Sequence, residues 1–179
     1  MKVLMACLLC FTQNFGSYNS VVQIIDGDST YTGVNISNGV VLTTANSGAT
    51  DSVSIIFHGE NGKKFKTKGI VQKIDYNRNL CLLTYSVPQN ISGDISVCKI
   101  RDKFFTKVDI IGWGAQNAHF SFVNQPVKNV IHIGDYNYNF SGLALINEGS
   151  LVGLQTYKVG PNVYWINASV INDFLEENK

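Results

Sequence analysis

Charge is scarce in this chain. Asp, Glu, Lys and Arg make up 15% of its 179 residues, and the net charge is +1. A surface so close to neutral has no overall field to recruit nucleic acid or an anionic membrane, so both partner classes are set aside. Proline is scarcer still, with three residues, and no Pro- or Ser-rich tract marks a linker between domains. No run approaches the roughly 20 apolar residues that a membrane-crossing helix needs. The four cysteines are Cys7, Cys10, Cys81 and Cys98. Their spacing fits neither a metal knuckle nor a disulfide framework, and neither a metal nor any other cofactor is expected.

What is present is apolar and turn-forming. Hydrophobic residues reach 45%, which excludes a disordered chain, and sixteen glycines accompany abundant Asn, Ser and Thr. That mixture predicts many short strands joined by tight turns. Cys81, within Leu80-Cys81-Leu82-Leu83, reads as a small buried hydrophobe. The Cys7-x-x-Cys10 pair lies in an apolar stretch without the strand–turn–helix context of a redox motif.

The first sixteen residues have two open readings. Lys2 followed by the apolar run Val3 to Phe11 resembles a secretory signal, although Gly16-Ser17 is a poor substitute for an Ala-x-Ala cleavage site. The other reading is a leading helix or strand that packs on the body of the protein. A signal would make the chain secreted or extracytoplasmic. Otherwise it is intracellular or part of a virion. Residues 17–179 form one domain.

Short apolar runs then follow one another. Val21 to Ile25, Thr30 to Ile36, Val40 to Thr43, Val53 to Phe57 and Lys63 to Lys73 read as strands, the last alternating Lys with apolar or small residues. Further runs are Leu80 to Tyr85, Val108 to Trp113, Val127 to Ile133, Leu143 to Ile146, Leu151 to Tyr157 and Val163 to Ile166. Helical spacing occurs at Val170, Ile171, Phe174 and Leu175, with Asn167 or Ser169 as the cap. The pattern predicts an all-β sandwich or barrel with a short C-terminal helix.

Five segments carry a family resemblance. Asn139-Phe140-Ser141-Gly142-Leu143-Ala144-Leu145 resembles the Gly-Asp-Ser-Gly-Gly-Pro-Leu segment of trypsin-like serine peptidases. Leu42-Thr43-Thr44-Ala45-Asn46 is similar to their Leu-Thr-Ala-Ala-His, and Asn79-Leu80-Cys81-Leu82-Leu83 to their Asp-Leu-Ala-Leu-Leu. Gly149 to Leu154 resembles the Val-Gly-Ile strand that follows the nucleophile, and Tyr164-Trp165-Ile166 is similar to the close of Htr-type (DegP-like) peptidases. The likeness spans residues 18–178. It implies the chymotrypsin fold, two antiparallel six-stranded β-barrels over roughly 17–95 and 96–179, ending in a short helix.

The resemblance also implies a damaged catalytic site. Ser141 holds the nucleophile position, but Asn46 replaces the histidine and Asn79 the aspartate. A serine hydroxyl needs a base to take its proton, and a neutral amide does not accept one near pH 7. Asn139 stands where the family uses glycine to shape the oxyanion loop, and Leu143-Ala144 replace Gly-Pro. The expectation is a pseudoenzyme that binds protein or extended peptide, or serves as a structural component. Gln155, Thr156 and Tyr157 would be the strand that receives an extended peptide.

Two alternatives remain at this level. One is a slow or specialised serine endopeptidase in which a substitute base such as His132 serves Ser141. The other is an unrelated all-β structural protein, for example of a virion, folded as a single sandwich. His58 is expected to be exposed in a hairpin turn, and His119 and His132 to be strand residues. Sequons at Asn35, Asn90, Asn139 and Asn167 are potential glycosylation sites in a secreted chain, at a frequency that chance explains in so Asn-rich a sequence.

Overall fold

A computed structural model of the chain describes residues 19–45, 50–59, 63–87, 96–102, 108–114, 117–123, 130–132, 142–159 and 162–177. The leading segment and the Cys7 and Cys10 pair lie outside them.

The first half is a closed barrel. Its strands are β1 (Val21–Asp26), β2 (Ser29–Ser37), β3 (Val40–Thr43), β4 (Ser52–His58), β5 (Lys64–Asp75) and β6 (Leu80–Tyr85). They close in the order β1-β2-β3-β6-β5-β4, and every neighbouring pair is antiparallel. Alternation decides the register: Val53, Ile55 and Phe57 of β4 point inward while Ser54 and Ile56 do not. The turn between β2 and β3 relies on Gly39 at φ 86°, in the left-handed region. Val22, Ile24, Val41, Val53, Ile55, Phe57, Cys81, Leu83 and Tyr85 fill the interior. Cys81 is fully buried and its thiol is pushed up to about 12 by desolvation, as a small hydrophobe requires.

The second half contains β7 (Lys99–Ile100), β8 (Val108–Gly114), β9 (Asn117–Val123), β10 (Val130–His132), β11 (Ala144–Asn147), β12 (Ser150–Val159) and β13 (Asn162–Asn167). The sheet order is β10-β13-β12-β11-β8-β9, with β7 parallel to β12. Among the described pairings the margins β9 and β10 are not joined, so closure of the expected second six-stranded barrel is not seen among the described residues. β7 is an addition to the strands read from sequence, β9 holds His119, which was expected on a strand, and β10 lies within the run from Val127 to Ile133.

Helix α1 (Ala168–Glu176) begins at Asn167, whose side chain accepts from the Val170 N–H at 3.0 Å. Its buried residues Ile171 and Phe174 enter a core built from both halves, with Val21, Leu42 and Leu80 from the barrel and Ile111, Leu151 and Leu154 from the sheet. One apolar cluster thus draws its residues from both halves.

Candidate functional site

The seam between the halves brings together the segments that flank the residues singled out in the sequence. Asn46, Asn139 and Ser141 lie outside the described residues, so their immediate neighbours define the geometry.

Asn79 ends the turn that joins β5 to β6. Asp75 shapes this turn, its carboxylate accepting from the N–H groups of Asn77 at 2.9 Å and Arg78 at 3.0 Å. The Arg78 guanidinium reaches across to Glu177 beyond α1, at 2.6 Å, and to Asp75 at 3.3 Å. Asn79 itself has φ 55°, a left-handed conformation that Asn tolerates better than most residues. In this pose its side-chain oxygen accepts from the Ala45 N–H at 3.1 Å, and its backbone oxygen accepts from the same group at 3.2 Å. The turn thus reaches the residue that directly precedes Asn46.

The other side of the seam is Gly142, next to Ser141. It has φ 82°, and a Cβ built there would lie 2.6 Å from the Thr32 carbonyl oxygen and 3.5 Å from the Thr43 hydroxyl. Only glycine lets the backbone come so near the barrel. Thr43 in turn donates to the Thr32 carbonyl at 2.7 Å. The end of β3, the turn before β6 and the segment after Ser141 therefore meet at one place on the seam.

Thr32 and Trp113 were not foreseen and organise this meeting. The fully buried Thr32 accepts from the Trp113 N–H at 2.8 Å through its hydroxyl oxygen. The Trp113 indole donates to the Val21 carbonyl at 3.0 Å. The local signal was the Gly-Trp-Gly run at 112–114, whose glycine at 112 packs beneath Leu143.

His58 departs from the expectation of an exposed turn residue. It terminates β4 and stacks on Trp113, with centroids 3.5 Å apart and planes 15° from parallel. Its Nε2 is buried, with no hydrogen-bond partner among the described residues. Desolvation, with the Lys64 charge second, lowers its pKa from 6.5 to about 4. It is a neutral packing ring, and among the described residues no carboxylate pairs with it.

His132 falls on β10, and in sheet order β13 and β12 separate it from β11. At roughly 4.8 Å per strand that is about 14 Å from β11. His119 lies in β9, paired with Gly112.

Of the anticipated peptide-receiving residues, Gln155 is buried and its backbone is already paired. Its N–H donates to the Leu143 carbonyl at 2.9 Å, and its carbonyl accepts from the Gly142 N–H at 3.1 Å. These bonds tie the segment after Ser141 to β12. The Gln155 side-chain oxygen is buried with no partner among the described residues. The Thr156 hydroxyl donates to the Tyr164 carbonyl at 3.1 Å, and the Tyr157 backbone pairs with Tyr164. From Thr156 to Val159, β12 is paired with β13 on one side and with no described strand on the other. Among the described residues no group of His, Cys, Asp and Glu could hold a metal ion, and no helix is long and apolar enough to cross a membrane.

No family model and no curated protein matches this chain. Solved structures do. The crystal structure of Deg5 matches with a TM-score of 0.66 and 16% identity, over 89% of this chain and 90% of that one. The serine endoprotease from Yersinia pestis matches with a TM-score of 0.67 and 15% identity, over 93% of this chain and 66% of that one. Identity so low speaks for architecture alone, and a single sandwich is set aside. The chain has the trypsin-like serine protease fold.

Proposed function

We propose that this protein is a catalytically inactive relative of the trypsin-like serine peptidases. It acts by binding protein or an extended peptide, or as a structural component. The observation that carries the reading is the hydrogen bond from Ala45 to the Asn79 side chain. It ties the neutral amide of Asn79 to the residue that precedes a second neutral amide, Asn46, in the sequence.

Neither amide can take the serine proton or support a charged base. Losing a triad member in enzymes of this design costs roughly four to six orders of magnitude in rate. His58 is occupied by its stack on Trp113, and His132 stands on a distant strand.

One feature favours retained binding. The stretch from Thr156 to Val159 offers a backbone margin for strand addition, which needs no catalytic group.

The test is labelling with a fluorophosphonate probe alongside casein digestion. The expected result is no labelling of Ser141 and no digestion above the rate of the Ser141→Ala protein. Rapid labelling that disappears in Ser141→Ala would overturn the proposal.

A further inference from the structure

We infer that the outer face of β5 is a docking track for an extended protein segment bearing carboxylates at one end and apolar side chains at the other. This face is distinct from the seam and goes beyond the function proposed above.

The two-residue period of β5 puts Lys64, Lys66, Lys68, Ile70 and Gln72 on one side, and all five are exposed. Four of the fourteen basic residues, Lys63, Lys64, Lys66 and Lys68, fall within six positions of a chain whose net charge is only +1. The ion pairs at Asp75 and Glu177 are made by Arg78 and not by these lysines. Their row faces a hollow of about 660 Å³, lined by Ile25, Ser54, Lys66 and Lys68. Asp26 also lines it, accepting from the Thr50 hydroxyl at 2.8 Å, and is one carboxylate against the three exposed lysines of the row.

Further along the same face the chemistry changes. Ile70 is 54% exposed, and it pairs with Thr84, which pairs with Val40. That row leads to a second hollow of about 680 Å³, where Gln72 meets Ile36, Val40, Leu82, Ile100 and Leu175. From Lys64 to Gln72 the track is about 26 Å long at 3.3 Å per residue, the length of nine extended residues.

Charge complementarity selects the basic end's partner, and burial of Ile70 selects the apolar end's. β5 lies inside a closed barrel and offers no backbone edge, so recognition is by side chains alone. A single-stranded nucleic acid fits less well. Phe65 points inward, Tyr76 lies in the turn beyond β5, and among the described residues no exposed ring stands on this face to stack a base.

The experiment uses fluorescence anisotropy with a labelled twelve-residue peptide of alternating Glu and Thr followed by Leu-Val-Leu. A Glu→Gln copy, a twenty-nucleotide single-stranded DNA and phosphatidylserine vesicles serve as competing probes. The acidic peptide is expected to bind, and its Gln copy to bind about tenfold more weakly. Lys64→Gln, Lys66→Gln and Lys68→Gln combined should weaken it about tenfold, and Ile70→Ser alone about threefold, with unchanged circular dichroism. Absence of binding, indifference to both variants, or tighter binding of the DNA or vesicles would overturn the inference.

Discussion

His58 and Trp113 lie face to face across the seam, one ending a barrel strand and the other near the end of a sheet strand. The stack holds the imidazole neutral, because burial and the neighbouring Lys64 both disfavour its charged form. When the chain unfolds, the ring regains its ordinary proton affinity. Between pH 6.5 and about 4 the unfolded state therefore binds more protons than the folded one. Stability should be unaffected by this group above pH 6.5 and should fall as pH drops through that window. Urea denaturation at several pH values is expected to show the decline, and His58→Phe should flatten it while keeping the stack. An equal slope in His58→Phe would assign the acid sensitivity elsewhere.

Gly142 supplies a second prediction. Alanine there meets both a positive φ and the Thr32 carbonyl, a backbone atom that cannot rotate away. Gly142→Ala should destabilise by about 2–4 kcal/mol, visible as a melting temperature lower by about 5–12 °C. A change under about 1 kcal/mol would show that the segment after Ser141 does not press on the barrel as described.

Asn79 separates two effects that a single substitution would merge. Asn79→Gly keeps the left-handed backbone and loses the side-chain bond to Ala45, with an expected cost of about 1 kcal/mol. Asn79→Ala loses the bond and also strains the backbone, adding about 1 kcal/mol more. Asn79→Asp retains the acceptor and should stay close to the parent. Equal losses for Gly and Ala would remove the conformational part of this account.

Restoring the replaced groups tests the proposed function from the opposite direction. Asn46→His with Asn79→Asp should raise esterase activity modestly, since Asn139, Leu143 and Ala144 remain in the oxyanion loop. Ester hydrolysis measured against Asn46→His alone should show the pair to be faster. No gain from the pair would mean that these two positions do not face Ser141.

Most of the barrel was legible in the sequence because its strands alternate cleanly and its turns use Gly and Asn. β3 and β6 coincide with the runs Val40 to Thr43 and Leu80 to Tyr85, and Asn167 caps the helix as its chemistry predicted. β7 was not legible. Two residues carry no period, and Lys99 pairs with Ser150 only because the chain arrives there in tertiary space. His58 was misread for a related reason: a polar ring before Gly59 looks like a turn, and the partner that covers it comes from Trp113, far along the chain. The seam contact between Thr32 and Trp113 joins residues 81 apart, beyond the reach of any local pattern.

One buried side chain bears on how this protein could be made. Asn35 is wholly enclosed, its carboxamide held by the Tyr85 hydroxyl at 2.9 Å and by the Ser96 carbonyl at 2.8 Å. It is nonetheless the acceptor of an Asn-Ile-Ser sequon. An oligosaccharide transferred to it during synthesis would occupy the space that Tyr85 and Ser96 must take. Sugar attachment and barrel closure are mutually exclusive at that position, so a secretory route would yield folded protein only from molecules that the transferase had skipped.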